Sequence, residues 1–251
     1  MRFALLGVDD DALRLADAIG ASREHALVAV YEPGKRGGDV AAIAPKARQA
    51  DDWESLLHAA QVDAVIVTAG ADRERRADAL RKLVQAELPI VLMHPACESI
   101  IGYELDMVRR DSMSPVVPYV AWQYHPAWAT LAAICSGSAG GIGNPTQITI
   151  ESPVKETSRA AIVGALARDF HRLAPIIGEV RQVGAIGAAG PQLPAGPLSV
   201  HMTTASGIVV RWIASPREDL RIECLGSAGR AELIAPLALG FWRLYVTRQG
   251  N

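Results

Sequence analysis

Residues 1–19 read MRFALLGVDDDALRLADAI. RFALLGV is short and almost wholly apolar, the pattern of a parallel strand buried on both faces. It closes on Gly7, and three acids follow: Asp9, Asp10 and Asp11. Ala12, Leu13, Leu15, Ala16 and Ile19 then recur with helical periodicity, so the acids stand at the start of an amphipathic helix. The stretch is a strand, a tight turn and a helix.

The same alternation continues outward. HALVAVYEP (25–33) is a second strand, stopped by Pro33, and PGKRGGD (33–39) reads as a loop from its Pro and Gly content. DDWESLLHAA (51–60) reads as a short helix capped by Asp51 or Asp52. VDAVIVTAG (62–70) is the most hydrophobic strand. DRERRADALRKLVQAE (72–87) is a charged helix with Ala77, Leu80, Leu83 and Val84 inward. LPIVLMHP (88–95) is a strand, ESIIGYELDMVRRDS (98–112) a helix and PVVPYVA (115–121) a strand. Strand–helix alternation implies right-handed crossovers and a doubly wound parallel sheet. The expected class is α/β, with a Rossmann-type sheet over residues 1–120.

After residue 120 the pattern changes. PAWATLAAICS (126–136) is helical, GSAGGIGNP (137–145) a turn and TQITIES (146–152) a strand. SRAAIVGALARDFHRLAPIIG (158–178) is a long helix ending near Gly178, with Pro175 in its last turn. EVRQVGAIG, LSVHMTTASG, IVVRWIAS, DLRIECLG and RAELIA are strands separated by Gly or Pro turns. Residues 121–251 are therefore expected to form an α+β domain with an open, mostly antiparallel sheet.

Composition narrows the function classes. Of 251 residues, 50% are hydrophobic and 21% charged, which suits a large core; the net charge is −2, so no basic field invites nucleic acid or an anionic membrane. No run of roughly 18 apolar residues is long enough to span a bilayer. The first apolar run is broken too early for a secretory signal. Three separated cysteines, Cys97, Cys135 and Cys224, with no CxxC, suggest neither a disulfide framework nor a zinc site. A reducing, cytoplasmic setting is expected. Trp122, Trp128, Trp212 and Trp242 read as core or interface residues. IVVRWIAS and WRLYV read as strand faces, and exposed apolar sheet surface there would call for a partner subunit. A homo-oligomer through the second sheet is the expectation.

Four phrases carry a family resemblance: VDAVIVTAG (62–70), PIVLMHPACES (89–99), QYHPAWATLAAI (123–134) and RIECLGSAGRAELIAP (221–236). With the order of elements, they resemble the Gfo/Idh/MocA oxidoreductases over nearly the whole chain. The chain is shorter than typical members. The resemblance implies a nicotinamide-binding domain followed by a substrate and oligomerisation domain. It also implies NAD(P)-dependent hydride transfer on a small sugar-like or carbonyl substrate.

The resemblance points to particular residues. At the phosphate turn, Gly7, Asp9 and Ala12 occupy the three glycine positions. The second glycine lets backbone approach a pyrophosphate, and the third lets helix and strand pack. Ala12 is an accepted substitute; Asp9 sets a carboxylate near a diphosphate. That costs about 1 kcal/mol per charge pair in water and several times more in a drier site. The plainer reading makes the acids helix caps on an empty turn. Glu32 fits hydrogen bonds from an adenosine ribose and favours NAD, whereas Lys35 and Arg36 suit the 2′-phosphate of NADP. Thr68, Ala69 and His94 fall along the same cofactor edge.

The family's Glu-Lys-Pro reads Met93-His94-Pro95 here. His94 has a ring suited to acid–base work, or is simply a solvated loop histidine. The family's His-x-x-Asp pair falls in ARDFHRLAPIIG (167–178). One register puts Arg168 and His171 at those positions, as anion anchor and proton carrier; another gives Asp169 and His171 the role. The plainer reading is a polar lining between helix and sheet. Gln123 and His125 join Arg168 as expected substrate contacts. His94, His125 and His171 could converge, and such histidines also bind haem iron, but no HxxxH spacing supports a metal site. The turn, the lost lysine and the altered helix pair together raise an alternative. In it, a catalytically silent relative binds another small molecule, a tetrapyrrole among them, or serves as an oligomeric interaction protein.

Overall fold

The computed structural model describes residues 1–31, 36–52, 54–58, 62–68, 73–93, 115–137, 141–155, 158–187, 198–236 and 240–248. Glu32, Lys35, Ala69, His94, Cys97 and the helix expected at 98–112 lie outside the described residues. The chain divides into two compact units, Met1–Ala121 and Trp122–Asn251.

In the first unit, β1 (Arg2–Leu6), β2 (Ala26–Tyr31), β3 (Arg48–Gln49), β4 (Ala64–Val67), β5 (Ile90–Met93) and β6 (Val116–Tyr119) form one sheet. Its order is β3-β2-β1-β4-β5-β6, every pair parallel. The helices are α1 (Asp10–Ala21), α2 (Gly37–Ile43), α3 (Ser55–His58) and α4 (Arg73–Gln85). Because successive strand residues point to opposite faces, the sheet feeds two cores. Leu5, Val30 and Ile66 pack with Ala12, Ala16, Ile19 and Val40 of α1 and α2. Ala4, Leu6, Val65 and Val67 pack with Leu56 of α3 and Leu80, Leu83 and Val84 of α4. This is the doubly wound sheet read from the sequence.

Two short elements depart from expectation. GGD at 37–39, read as loop, opens α2, whose Val40 is fully buried. β3, two residues long, adds an edge strand that no periodicity could reveal. The aspartate of VDAV also finds its use here: Asp63 accepts from the backbone and the guanidinium of Arg2, at 2.7 and 3.0 Å. This ties the start of β4 to that of β1.

A 3₁₀ turn, Ala121–Tyr124, spans the boundary into the second unit, whose first helix is α5 (Pro126–Cys135). Then come β7 (Pro145–Pro153), α6 (Arg159–Ile177), β8 (Val180–Ile186), β9 (Ser199–Thr204), β10 (Val209–Ser215), β11 (Asp219–Gly226), β12 (Gly229–Pro236) and β13 (Arg243–Arg248). The seven-stranded order is β13-β12-β11-β7-β10-β9-β8. Two antiparallel meanders flank β7, and among the described strands of this sheet only β7 and β10 run parallel. α5 and α6 cover one face, where Ile148, Ile150, Val210, Trp212, Ile222, Cys224 and Leu233 form the core.

Cross-strand partners share a face, so the register identifies the other one. His201, Arg211, Thr149, Glu223, Glu232 and Tyr245 lie in one row across it. That face carries ion pairs as well as apolar residues. Arg230 pairs with Glu223 at 2.7 Å and Glu232 at 3.1 Å, Arg221 with Glu232 at 3.2 Å, and Arg217 with Glu151 at 3.4 Å. Glu223 and Glu232 face each other across β11 and β12, and the arginines reach them diagonally, with Ile186, Val209 and Tyr245 among the exposed apolar residues of that face.

Candidate functional site

The strand order of the first unit reverses between β1 and β4; open α/β sheets bind ligands outside the carboxyl ends of their strands at such a point. Gly7 closes β1 with φ of +80°, a conformation that strains any L side chain, and its amide donates to the Tyr31 carbonyl at 2.9 Å. On the other side the amide of buried Thr68 donates to the Leu6 carbonyl at 3.0 Å. Ala12 is buried between helix and strand, as its place in the turn requires.

The three acids divide their work. Asp9 is the N-cap of α1, in extended conformation, and its carboxylate accepts from the Ala12 amide at 2.8 Å. One donor of the helix N-terminus, the group that would otherwise face an anion, is thus already used. Asp10 accepts from Arg36 at 2.7 Å, and this hydrogen bond, more than the charge itself, holds the Asp10 carboxyl below its ordinary range. Arg36 also donates to Asp39 at 3.1 Å. Arg36, one of the two cations that the sequence offered to a 2′-phosphate, is therefore engaged by two carboxylates. Asp11 pairs with Arg14 at 3.3 Å.

The second unit gathers its polar groups on α6. Asp169 is buried and accepts from the Trp212 indole at 3.0 Å, from Arg168 at 3.2 Å and from Arg172 at 3.4 Å. Arg168 also reaches the hydroxyl of buried Ser152 on β7 at 3.4 Å. The guanidinium of Arg172 lies 4.8 Å from the centroid of the Trp122 ring, a cation–π contact. Trp122 meets Trp242 edge to face, and Trp242 stacks on His125 at 3.9 Å.

These contacts sort the expected site residues. Arg168 and His171 share a side of α6, and both are half-buried. Burial, with a smaller contribution from the Arg172 charge, pushes the His171 pKa below its ordinary value, so the ring is neutral at pH 7. Asp169 serves Trp212 and two arginines rather than forming a pair with His171. His125 caps α5: its Nδ1 accepts from the Ala127 amide at 3.2 Å, which puts the ring proton on Nε2. Gln123 keeps a buried side-chain oxygen that accepts no hydrogen bond among the described residues.

The sequence reading missed Arg172 and Ser152, and it placed Trp212 in the core without its acceptor, Asp169. Two signals existed. Asp169 and Arg172 stand three apart on one helix, and a tryptophan in a buried strand needs an acceptor for its N–H. Among the described residues no group of three or more His, Cys, Asp or Glu side chains is placed to hold a metal ion. No described helix is long and apolar enough to cross a membrane.

A parallel sheet in dinucleotide-binding order, followed by a helix-backed open sheet, is the fold of the Gfo/Idh/MocA-type oxidoreductases. No family model matches the sequence, and no curated protein matches it. Solved structures do. The myo-inositol dehydrogenase of Corynebacterium glutamicum ATCC 13032 superposes with a TM-score of 0.77 at 19% identity, over 94% of this chain and 75% of that one. UDP-N-acetylglucosamine 3-dehydrogenase GnnA of Acidithiobacillus ferrooxidans gives 0.73 at 20%, over 100% and 83%. Biliverdin reductase of Synechocystis sp. PCC 6803, solved with biliverdin and NADP+, gives 0.70 at 14%, over 99% and 85%.

Proposed function

We propose that the chain is a nicotinamide-dependent oxidoreductase acting on a small sugar-like or carbonyl substrate. The observation that carries this reading is the order β3-β2-β1-β4-β5-β6, with Gly7 in positive φ at the point where it reverses. When bound there, a nicotinamide supplies the hydride chemistry. The residues fit such a group at Gly7, Ala12 and Thr68, and the Asp9 carboxylate opposes it.

The chain's own part is binding, orientation and one proton. Backbone at Gly7 and Thr68 shapes the seat, with Glu32 and Ala69 completing it in this reading. Oxidation of a hydroxyl requires a base for the O–H proton as the carbon gives up its hydride. His171, neutral at pH 7, has a lone pair for that proton, and His94 is the other candidate. Arg168 orients the substrate.

A specific observation favours a second reading, a catalytically silent relative that binds a different small molecule. Asp9 already fills a donor of α1, and Asp10 already holds Arg36. Thermal unfolding with NAD, NADH, NADP and NADPH separates the two. Cofactor at a hundred times its Kd is expected to stabilise the fold by about 2.7 kcal/mol. No shift with any of the four would leave the second reading, and an absorbance scan of the purified protein would then look for a coloured ligand.

A further inference from the structure

Arg168 stands where a guanidinium has a use beyond packing. It projects from α6 toward the carboxyl end of β7, where Ser152 accepts one of its donors. β7 and β10 are the parallel pair of this sheet, and Ser152 lies beside Ala214 near the ends of both. Its Nε is fixed by Asp169 at 3.2 Å. Its remaining terminal nitrogen, Nη1, has no acceptor among the described residues, and the side chain keeps 28% of its surface exposed. The fork is thus held on two sides and open on the third, the pre-organised state in which arginine binds oxyanions well.

The local charge points the same way. Among the described residues, Asp169 brings one negative charge to a site with two guanidinium groups, Arg168 and Arg172. Glu151, next to Ser152 in sequence, faces the opposite side of the sheet and pairs with Arg217. His171, one turn along α6, is neutral and leaves the positive surplus unchanged. A half-buried positive surplus attracts an anion more strongly than a surface charge does, because less solvent screens it.

We propose that Arg168 anchors an anionic substrate, a small polyol or carbonyl compound bearing a carboxylate or phosphate. This names the substrate class of the oxidoreductase reading and rests on it, while anion binding itself is measurable without nicotinamide.

The test uses the full chain in a phosphate-free buffer at constant ionic strength. Thermal unfolding is followed with gluconate, glucose 6-phosphate and neutral myo-inositol as probes. A saturable rise in Tm is expected with gluconate, with glucose 6-phosphate or with both, which also tells carboxylate from phosphate. None is expected with myo-inositol. Arg168→Gln should weaken the response at least about tenfold, the value of a charge-assisted hydrogen bond. Arg217→Gln, on the other face, should leave it intact. Should Arg168→Gln fail to fold, Arg168→Lys keeps the charge without the fork and should still weaken binding.

Equal stabilisation by myo-inositol, no response to either anion, or a full response in the folded Arg168 variant would overturn the proposal. The nicotinamide series runs in parallel. A nicotinamide shift without an anion shift removes this proposal and spares the oxidoreductase reading; an anion shift without a nicotinamide shift does the reverse.

Discussion

Asp169 shows how far a residue's neighbours outrun its neighbours in sequence. ARDFHR was legible as a charged patch on a helix, and Arg168 and His171 were legible as a pair three residues apart. The Trp212 indole that Asp169 accepts from comes from a strand 43 residues away, which no local spacing announces. Asp169 also pairs with buried Arg172. Removing one member of a buried ion pair leaves the other charge uncompensated. Asp169→Asn is therefore expected to cost about 3 kcal/mol or more in urea unfolding. A loss of only a few tenths would mean that this network contributes little to the second unit.

At the scale of elements, long periodic segments were readable and short ones were not. α1 and α6 each show an apolar stripe and a capping residue, Asp9 and Ser158, and both form as read. α2 carries two glycines in its first turn, a composition that disfavours helix, and burial of Val40 overrides it. The place of β7 between two meanders is a non-local choice that the order of strands in sequence does not reveal. Neither does the sequence show how tightly residues 141–143 lie against the turn of β11 and β12. A Cβ on Gly226 would run into the carbonyl oxygen of Ile142, and one on Gly143 into Ser227 and Ala228. Backbone cannot yield as a flexible side chain does. Gly226→Ala is expected to destabilise the chain by about 1–3 kcal/mol, as overpacking does, read as a lower urea midpoint. An unchanged midpoint would show that this loop gives way freely.

At the scale of the whole molecule, three solved structures share the fold at only 14–20% identity. Identity that low is compatible with the same alternation of strand and helix, because burial demands it. It does not fix the groups that touch a ligand. The departure at the phosphate turn was visible in the residues, but its consequence depended on where the Asp9 carboxylate points. It points back to its own helix, at the Ala12 amide. Glycine at this position gives up the cap for only about a few tenths of a kcal/mol, so the fold survives its loss. The decisive measurement is calorimetric titration of NADH and NADPH into the natural chain and into Asp9→Gly. Binding to both is expected, tighter in the variant by about fivefold or more, the equivalent of about 1 kcal/mol of relieved repulsion. Equal or weaker binding in Asp9→Gly, or no binding to either chain, would contradict this expectation.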